Sequence, residues 1–340
     1  MTTQKKKRLY ISCGIGVVFV VLFYWLFLSS FSSSSKASFV KIDKDDNIDS
    51  VYVKLEKVAK PRQMVGLKLV CTLLNYSGHI HTGRYATGEG VSTLSLARNL
   101  RGGRQATVKL VIPVVHTLSD LAGRLSKQLQ YDSLTLNRVF HDAHLLREYG
   151  VDTTTLACLF IPNTYEVYWN ITPEKLLDRM QKEQKEYWTN TRIRKAKEAG
   201  LTPNEAYTLA SIVEQESTNP DERPMIAGMY INRLHKNMRL QADPTVKFAL
   251  QKFTLRRIMK NHLSVDSPYN TYRNAGLPPG PICIPSLDAI EAVLNYTHHD
   301  YLYMCAKADF SGTHSFAVTY EEHLKNAHDY AEELNKRGVK

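Results

Sequence analysis

Hydrophobic and polar positions divide the chain into an apolar stretch, a short alternating region and a long helical region. Tyr10–Leu28 is 19 residues without a charge. At about 1.5 Å per residue it spans roughly 28 Å, the hydrocarbon thickness of a bilayer. Phe39-Val40-Lys41-Ile42 then alternates as a half-buried strand does. Asn47 is placed to cap a helix over 47–57, and Pro61 opens a second over 61–75, at the turn where proline is favoured. Residues 79–86 read as a strand, 91–100 as a helix stopped by Gly102-Gly103, and 106–111 as an alternating strand. Thr117 starts a helix to about residue 130, with Asp120 at its third position.

A connecting region, 131–169, follows, and beyond it the helical period dominates. Thr172-Pro173-Glu174 starts a long polar helix running to Gly200. Thr202-Pro203-Asn204-Glu205 is a fuller start. Thr202 is the cap, Pro203 the first helical residue, and Glu205 closes the capping box. That helix runs to Ser217 and stops before Asn219-Pro220. Further helices are expected over 224–236 and 287–296, separated by an irregular, proline-rich stretch over 264–285. Strands over 301–307 and 314–319 flank the turn Phe310-Ser311-Gly312-Thr313 as a hairpin. Thr319 and Glu322 make a last capping box. The pattern predicts an α+β chain: one N-terminal transmembrane helix, a small α/β module, then a mixed, mostly helical domain with a β-hairpin.

Composition narrows this. A length of 340 residues suits about two domains. With 43% hydrophobic and 23% charged residues the chain is globular rather than disordered. Of the net charge of +11, four units come from Lys5, Lys6, Lys7 and Arg8; the remaining +7 is spread thinly. No basic stripe interleaved with aromatics appears, so nucleic acid is not an expected partner. The basic cluster lies just ahead of the apolar run, which places the N-terminus in the cytoplasm and the body outside it. The run is longer than the apolar part of a cleaved signal peptide, about 7–15 residues, and reads as an uncleaved anchor. The serines around Phe31, over 29–35, read as a flexible linker. The expected bounds are a basic tail over 1–9, a span over 10–28, a linker over 29–37, a module over 38–130 and a domain over 131–340.

Cys13 lies in the apolar run, and Cys71, Cys158, Cys283 and Cys305 stand among apolar neighbours without CxxC spacing. They read as buried thiols, with one disulfide left open. His298-His299-Asp300 has no accompanying metal-ligand spacing, so neither a metal nor another cofactor is expected.

The informative block is Leu209-Ala210-Ser211-Ile212-Val213-Glu214-Gln215-Glu216-Ser217, two carboxylates at the end of an apolar helix. Leu209, Ile212 and Val213 share one face; Glu216 projects near its centre and Glu214 at its border. A carboxylate among apolar groups is held neutral by desolvation, the state a general acid needs near neutral pH. Periodicity therefore favours Glu216, the more buried of the two, and both also fit as ordinary helix glutamates. Asp243 before Pro244 fits a helix N-cap. Ser267-Pro268-Tyr269-Asn270-Thr271-Tyr272-Arg273, leading into Gly276-Leu277-Pro278-Pro279-Gly280-Pro281, is a stiffened loop. Its tyrosines, Asn, Thr and Arg suit a polyhydroxylated ligand and equally an ordinary surface turn.

These blocks, in this order behind one N-terminal anchor, resemble the endolytic murein transglycosylase (YceG-like) family. The matching pieces are Phe160-Ile161-Pro162-Asn163-Thr164-Tyr165, residues 209–216, Ile231-Asn232-Arg233-Leu234, residues 238–246, residues 267–273, residues 276–282 and His314-Ser315-Phe316. They cover about half the chain. The module before Tyr131 resembles the family's LysM-like subdomain in layout. Ala157-Cys158 and Pro113-Val114-Val115 depart from pairs the family often carries. The resemblance places the essential glutamate on Glu214, against the periodicity, with Glu216 as a supporting carboxylate. Gln241, Asp243, Asn270 and Tyr272, in two of these blocks, are the residues expected to hold sugar.

The implied activity is non-hydrolytic cleavage of the MurNAc–GlcNAc bond within nascent peptidoglycan strands, leaving a 1,6-anhydroMurNAc end. One carboxylate suffices, because the substrate supplies its own nucleophile. Association with the wall-synthesis machinery is implied with it. The alternatives are a hydrolytic muramidase, with Asp243 or Glu216 as second carboxylate, and a non-catalytic wall-binding scaffold.

Overall fold

The computed structural model describes residues 3–33, 36–255 and 257–337. Contacts group the chain into two units. The first is Met1–Leu110 with Gln128–Gln130 and Tyr165–Ile171; the second is Val111–Lys127, Tyr131–Thr164 and Thr172–Lys340.

In the first unit, α1 (Thr3–Phe23) continues into a wider turn of π-type winding, Tyr24–Leu28. Tyr10–Leu28 has a mean hydropathy of 2.5 and is long and apolar enough to cross a membrane. β1 (Phe39–Ile42), α2 (Ile48–Glu56), α3 (Pro61–Leu73), β2 (Gly83–Ala86), α4 (Thr93–Arg101) and β3 (Thr107–Val111) follow. β1 and β2 pair antiparallel, Phe39 opposite Ala86 and Ile42 opposite Gly83. The strand expected over 79–86 shrinks to its last four residues, the ones that oppose β1. Asn47 and Ser50 cap α2 reciprocally. Ile42, Val51, Leu55, Leu67, Tyr85, Leu96 and Leu100 form the core, all fully buried.

Phe31 joins that core. It is 0% exposed, its N–H donates to the Val91 carbonyl at 2.8 Å and its own carbonyl accepts from Lys60 N–H at 3.0 Å. Residues 29–32 are thus packed against the unit where a free linker was expected. Burying one large aromatic ring outweighs the chain entropy that the serines alone would keep. Ser34 and Ser35 of that stretch, and Met1 and Thr2 of the basic tail, lie outside the described residues.

The second unit opens with α5 (Leu118–Ser126), which packs on α6 (Ser133–Phe140) rather than within the first module, and α7 (Ala143–Glu148). The region over 131–169 is therefore structured; its last strand, β4 (Thr164–Tyr168), belongs from Tyr165 on to the first unit, where it is the partner of β3. α6 and α7 are eight and six residues long, too short for a legible period, and are marked by their caps Asp132 and Asp142. The single long helix expected over 172–200 is two: α8 (Pro173–Tyr187) and α9 (Asn190–Glu198). Trp188 leaves the helix to bury its ring, and the Thr189 hydroxyl restarts it by accepting from Arg192 N–H.

α10 (Pro203–Glu216) is the axis of this unit, packed against α11 (Arg223–His235), α12 (Asp243–Ala249) and α13 (Leu287–Leu294). Its capping box forms as expected: Thr202 accepts from Glu205 N–H and Glu205 from Thr202 N–H. Every residue from Ala206 to Val213 is buried, the signature of a helix enclosed on all sides. β5 (Tyr303–Ala306) and β6 (His314–Ala317) form the expected antiparallel hairpin, and α14 (Tyr320–Lys336) follows behind the Thr319–Glu322 box. All five cysteines are free; Cys71, Cys158 and Cys283 are buried.

Candidate active site

Beyond its exposed first turn, α10 meets solvent again in its last turn, where Glu214, Gln215 and Glu216 are half-buried. Two residues along a helix turn by about 200°, so the two carboxylates leave opposite sides. Their surroundings differ accordingly.

Glu214 is enclosed by the protein. Its Oε1 accepts from the Arg223 guanidinium at 2.9 Å, with the two side chains 12% and 8% exposed. Its Oε2 accepts from the N–H of Ser286 at 3.0 Å and from the Ser286 hydroxyl. Ser286 is the N-cap of α13, and Arg223 also donates to the Ser217 carbonyl and to Ser286 Oγ. Glu214 thereby ties α10 to the starts of α11 and α13. The positive end of α13 and the guanidinium hold its charge in place.

Glu216 faces the other way, into an open cavity of about 480 Å³. Tyr230, Arg233, Gln241, Asp243, Tyr272 and His314 share this cavity. The Tyr230 hydroxyl donates to Glu216 Oε1 at 2.5 Å. Burial pushes the Glu216 carboxyl up from its ordinary 4.5 to about 7. The nearby negative charge of Asp243 adds to this, while the Tyr230 hydrogen bond, His314 and Lys247 oppose it.

The remaining walls come from distant parts of the chain. Arg233, 5% exposed on α11, spends its guanidinium on the carbonyls of Arg239 and Leu302 and on Gln241 Oε1 at 2.6 Å. It thereby clips the segment before α12 to the start of the hairpin. Gln241 sits at φ +53°, a left-handed conformation that costs a non-glycine residue of order 1 kcal/mol or more. The Arg233 bond and its own N–H bond to the Thr271 carbonyl at 3.2 Å hold it there. Asp243 is not the N-cap expected of it: α12 begins at Asp243 itself, without a side-chain cap. Its carboxylate instead accepts from the Tyr272 hydroxyl at 2.6 Å. Burial, together with that carboxylate, pushes the Tyr272 hydroxyl up and keeps it protonated. His314 Nδ1 pairs with Glu222 Oε2 at 2.9 Å, and Glu222 also accepts from Ser217 Oγ at 3.1 Å. The first residue of β6 is thus fastened to the end of α10.

Of the residues expected to hold sugar, Gln241, Asp243 and Tyr272 come together beside Glu216. Asn270 does not. It is fully buried, its amide donates to the carbonyls of Leu263 and Val265 at 2.9 and 2.8 Å, and its Oδ1 accepts from Tyr272 N–H. A proline-rich loop lacks a ladder of its own, and Asn270 satisfies its backbone instead. The two glutamates are placed differently. Glu214 lines none of this cavity, and Glu216, expected as the supporting carboxylate, is the one presented to it. Tyr230, Arg233 and His314 carried no assigned role in the sequence. An arginine beside Ile231 and Leu234 in a largely apolar helix was a visible signal of a buried polar duty.

The chain matches the YceG-like family over residues 40–329. It is 30% identical over 341 residues to the endolytic murein transglycosylase of two Streptococcus pneumoniae strains, covering 90% of this chain and 60% of those proteins. It therefore spans well under two thirds of their length. It is 38% identical over 164 residues to the endolytic murein transglycosylase of Bacillus subtilis, covering 48% of this chain and 44% of that protein. A crystal structure of a putative YceG-like protein from Listeria monocytogenes superposes with a TM-score of 0.55 at 29% identity, over 86% of this chain and 99% of that one. With most of its length inside the matched region, from β1 into the last helix, this chain belongs to the YceG-like family.

Proposed function

We propose that this chain is a membrane-anchored endolytic lytic transglycosylase acting on nascent peptidoglycan, with Glu216 as its single acid and base. The carrying observation is the Glu216 carboxyl, raised to about 7 and open to a 480 Å³ cavity. The names of the similar proteins supply the substrate class.

In this reading, protonated Glu216 donates to the oxygen joining MurNAc C1 to GlcNAc. The C1–O bond breaks, its electron pair stays with that oxygen, and GlcNAc leaves with a hydroxyl. Positive charge develops at C1, within reach of the Asp243 charge in the same cavity. The MurNAc C6 hydroxyl oxygen then bonds to C1 while its proton passes to the Glu216 carboxylate. The acid is regenerated and a 1,6-anhydro end remains. Intramolecular attack needs no bound water and benefits from a high effective molarity. Tyr230 positions the carboxyl, and Gln241 and Tyr272 are the candidate sugar contacts. Glu214 is read as the clamp that holds α10, α11 and α13 together.

The apolar Tyr10–Leu28 stretch supports an anchor in the inner membrane, with the basic tail cytoplasmic and the chain after residue 28 outside. The β1-α2-α3-β2 order, with antiparallel outer strands, supports reading the first unit as LysM-like. The wall-synthesis machinery is the partner class this reading implies.

Mass spectrometry of the products from uncrosslinked glycan tests it. The expected result is anhydro ends with the wild type. Glu216→Gln is expected to lower kcat roughly 10²–10⁴-fold, the usual contribution of a general acid, with the fold retained. Because Asp243 and Glu216 share one cavity, a two-carboxylate hydrolase is the second reading; product ends carrying added water would select it. Full activity in Glu216→Gln would overturn both.

A further inference from the structure

α3 has a side that neither the cavity nor the core uses. A helix on a protein surface ordinarily turns a polar face outward. α3 is apolar on its buried side and, apart from Lys68 and Thr72, on much of its outer side as well. Leu67, Val70 and Cys71 are buried in the first unit, while Val65, Leu69 and Leu73 are 66%, 53% and 77% exposed.

At about 100° per residue, Arg62, Gly66, Leu69 and Leu73 lie along one ridge of α3, with Val65 at its flank. The end of the apolar N-terminal stretch covers the first half of that ridge. A Cβ on Gly66 would stand 2.7 Å from the Leu26 carbonyl oxygen, so only glycine admits so close an approach. The Arg62 guanidinium lies over the Trp25 ring at 4.4 Å, and the Gln63 amide donates to the Trp25 carbonyl at 2.9 Å. Beyond Gly66 the ridge is bare. The chain around it carries Lys57, Lys60, Arg62, Lys68 and Arg84 between residues 57 and 88, which contain no Asp or Glu; Lys68 pairs with Glu56 just before that stretch, at 3.0 Å.

We propose that α3 lies in the membrane interface, with the phospholipid that surrounds residues 10–28 also covering Val65, Leu69 and Leu73. This rests on reading residues 10–28 as a membrane span. The bare ridge continues the surface on which the span's end is seated, so acyl chains that solvate one reach the other. The basic residues meet anionic headgroups, as on helices that lie in the interface plane. The first unit is then held against the bilayer by two attachments, the span and α3.

The test uses the full chain in vesicles of zwitterionic and anionic phospholipid, a fraction carrying a diazirine on the acyl chain. After irradiation, adducts are located by mass spectrometry. The expected result is adducts within residues 10–28 and also at Val65, Leu69 and Leu73, in clear excess over Leu134 and Leu324. Those two leucines, 74% and 51% exposed, are matched controls in the second unit. Leu69→Glu combined with Leu73→Glu is expected to reduce adducts at Val65 several-fold and leave those within 10–28 unchanged. Adducts within 10–28 with α3 at the level of Leu134 would overturn the proposal and leave the span reading standing. Absence of adducts from both would overturn the span reading and this proposal with it.

Discussion

Two glutamates separated by one residue have opposite surroundings, and the difference is one of available partners. Glu214 meets a guanidinium, a backbone N–H and a hydroxyl, all nearly buried with it. Glu216 meets one tyrosine hydroxyl and a cavity, with a second carboxylate in that same cavity. A carboxyl whose ordinary value of 4.5 is raised to about 7 is still partly protonated near neutrality, as a proton donor must be. Turnover is therefore expected to fall as pH rises through about 7, because the acid form disappears. A pH–rate profile of kcat on uncrosslinked glycan checks this; a rate that keeps rising above pH 8 would contradict the assignment. The helix-face argument favoured Glu216 and the motif resemblance favoured Glu214; the surroundings of the two side chains support the first choice, in the reading proposed above.

Among the elements, the two packing anchors make different demands. α10, α11 and α13 are joined through Glu214, Arg223 and Ser286. Removing one member of a buried ion pair leaves the other charge uncompensated, at a cost of about 3–5 kcal/mol. Glu214→Ala is thus expected to lower Tm far more than Glu216→Gln, and thermal denaturation of the two variants side by side reads it. In the first unit, Phe31 fills a core position from outside the regular elements. Phe31→Ala is expected to destabilise that unit by about 3–5 kcal/mol through the cavity it leaves. Hydrogen exchange would show faster opening of α2 and α3 with α10 unaffected; equal protection in both proteins would mean that the ring contributes nothing. The caps at Asn47, Thr202 and Thr319 were legible because capping is local chemistry. The break at Trp188 was not, since a polar helix of either length has the same composition and only the buried ring decides where it ends.

For the molecule as a whole, the Glu216 proton also links function to stability. Its value is raised in the folded state, so the stability it contributes is complete below 4.5 and lost as pH rises to about 7. Glu216→Gln removes that slope, and denaturant titrations from pH 4 to 8 should show wild-type stability declining against the variant over this window; parallel curves would contradict it. Residue order left the pairing of the cysteines open. The apolar stretch, the capping boxes at Thr202 and Thr319 and the hairpin were readable from it, because each depends on contacts within a few residues or on composition. The assignment of Gln241, Asp243 and Tyr272 to one cavity and of Asn270 to its own loop was not. Nor was the packing of Phe31 or the placement of the two glutamates on opposite sides of α10, one enclosed and one at the cavity. Those depend on segments far apart in the chain being brought face to face, and the direction of a side chain relative to a distant partner is a property that only three-dimensional packing supplies.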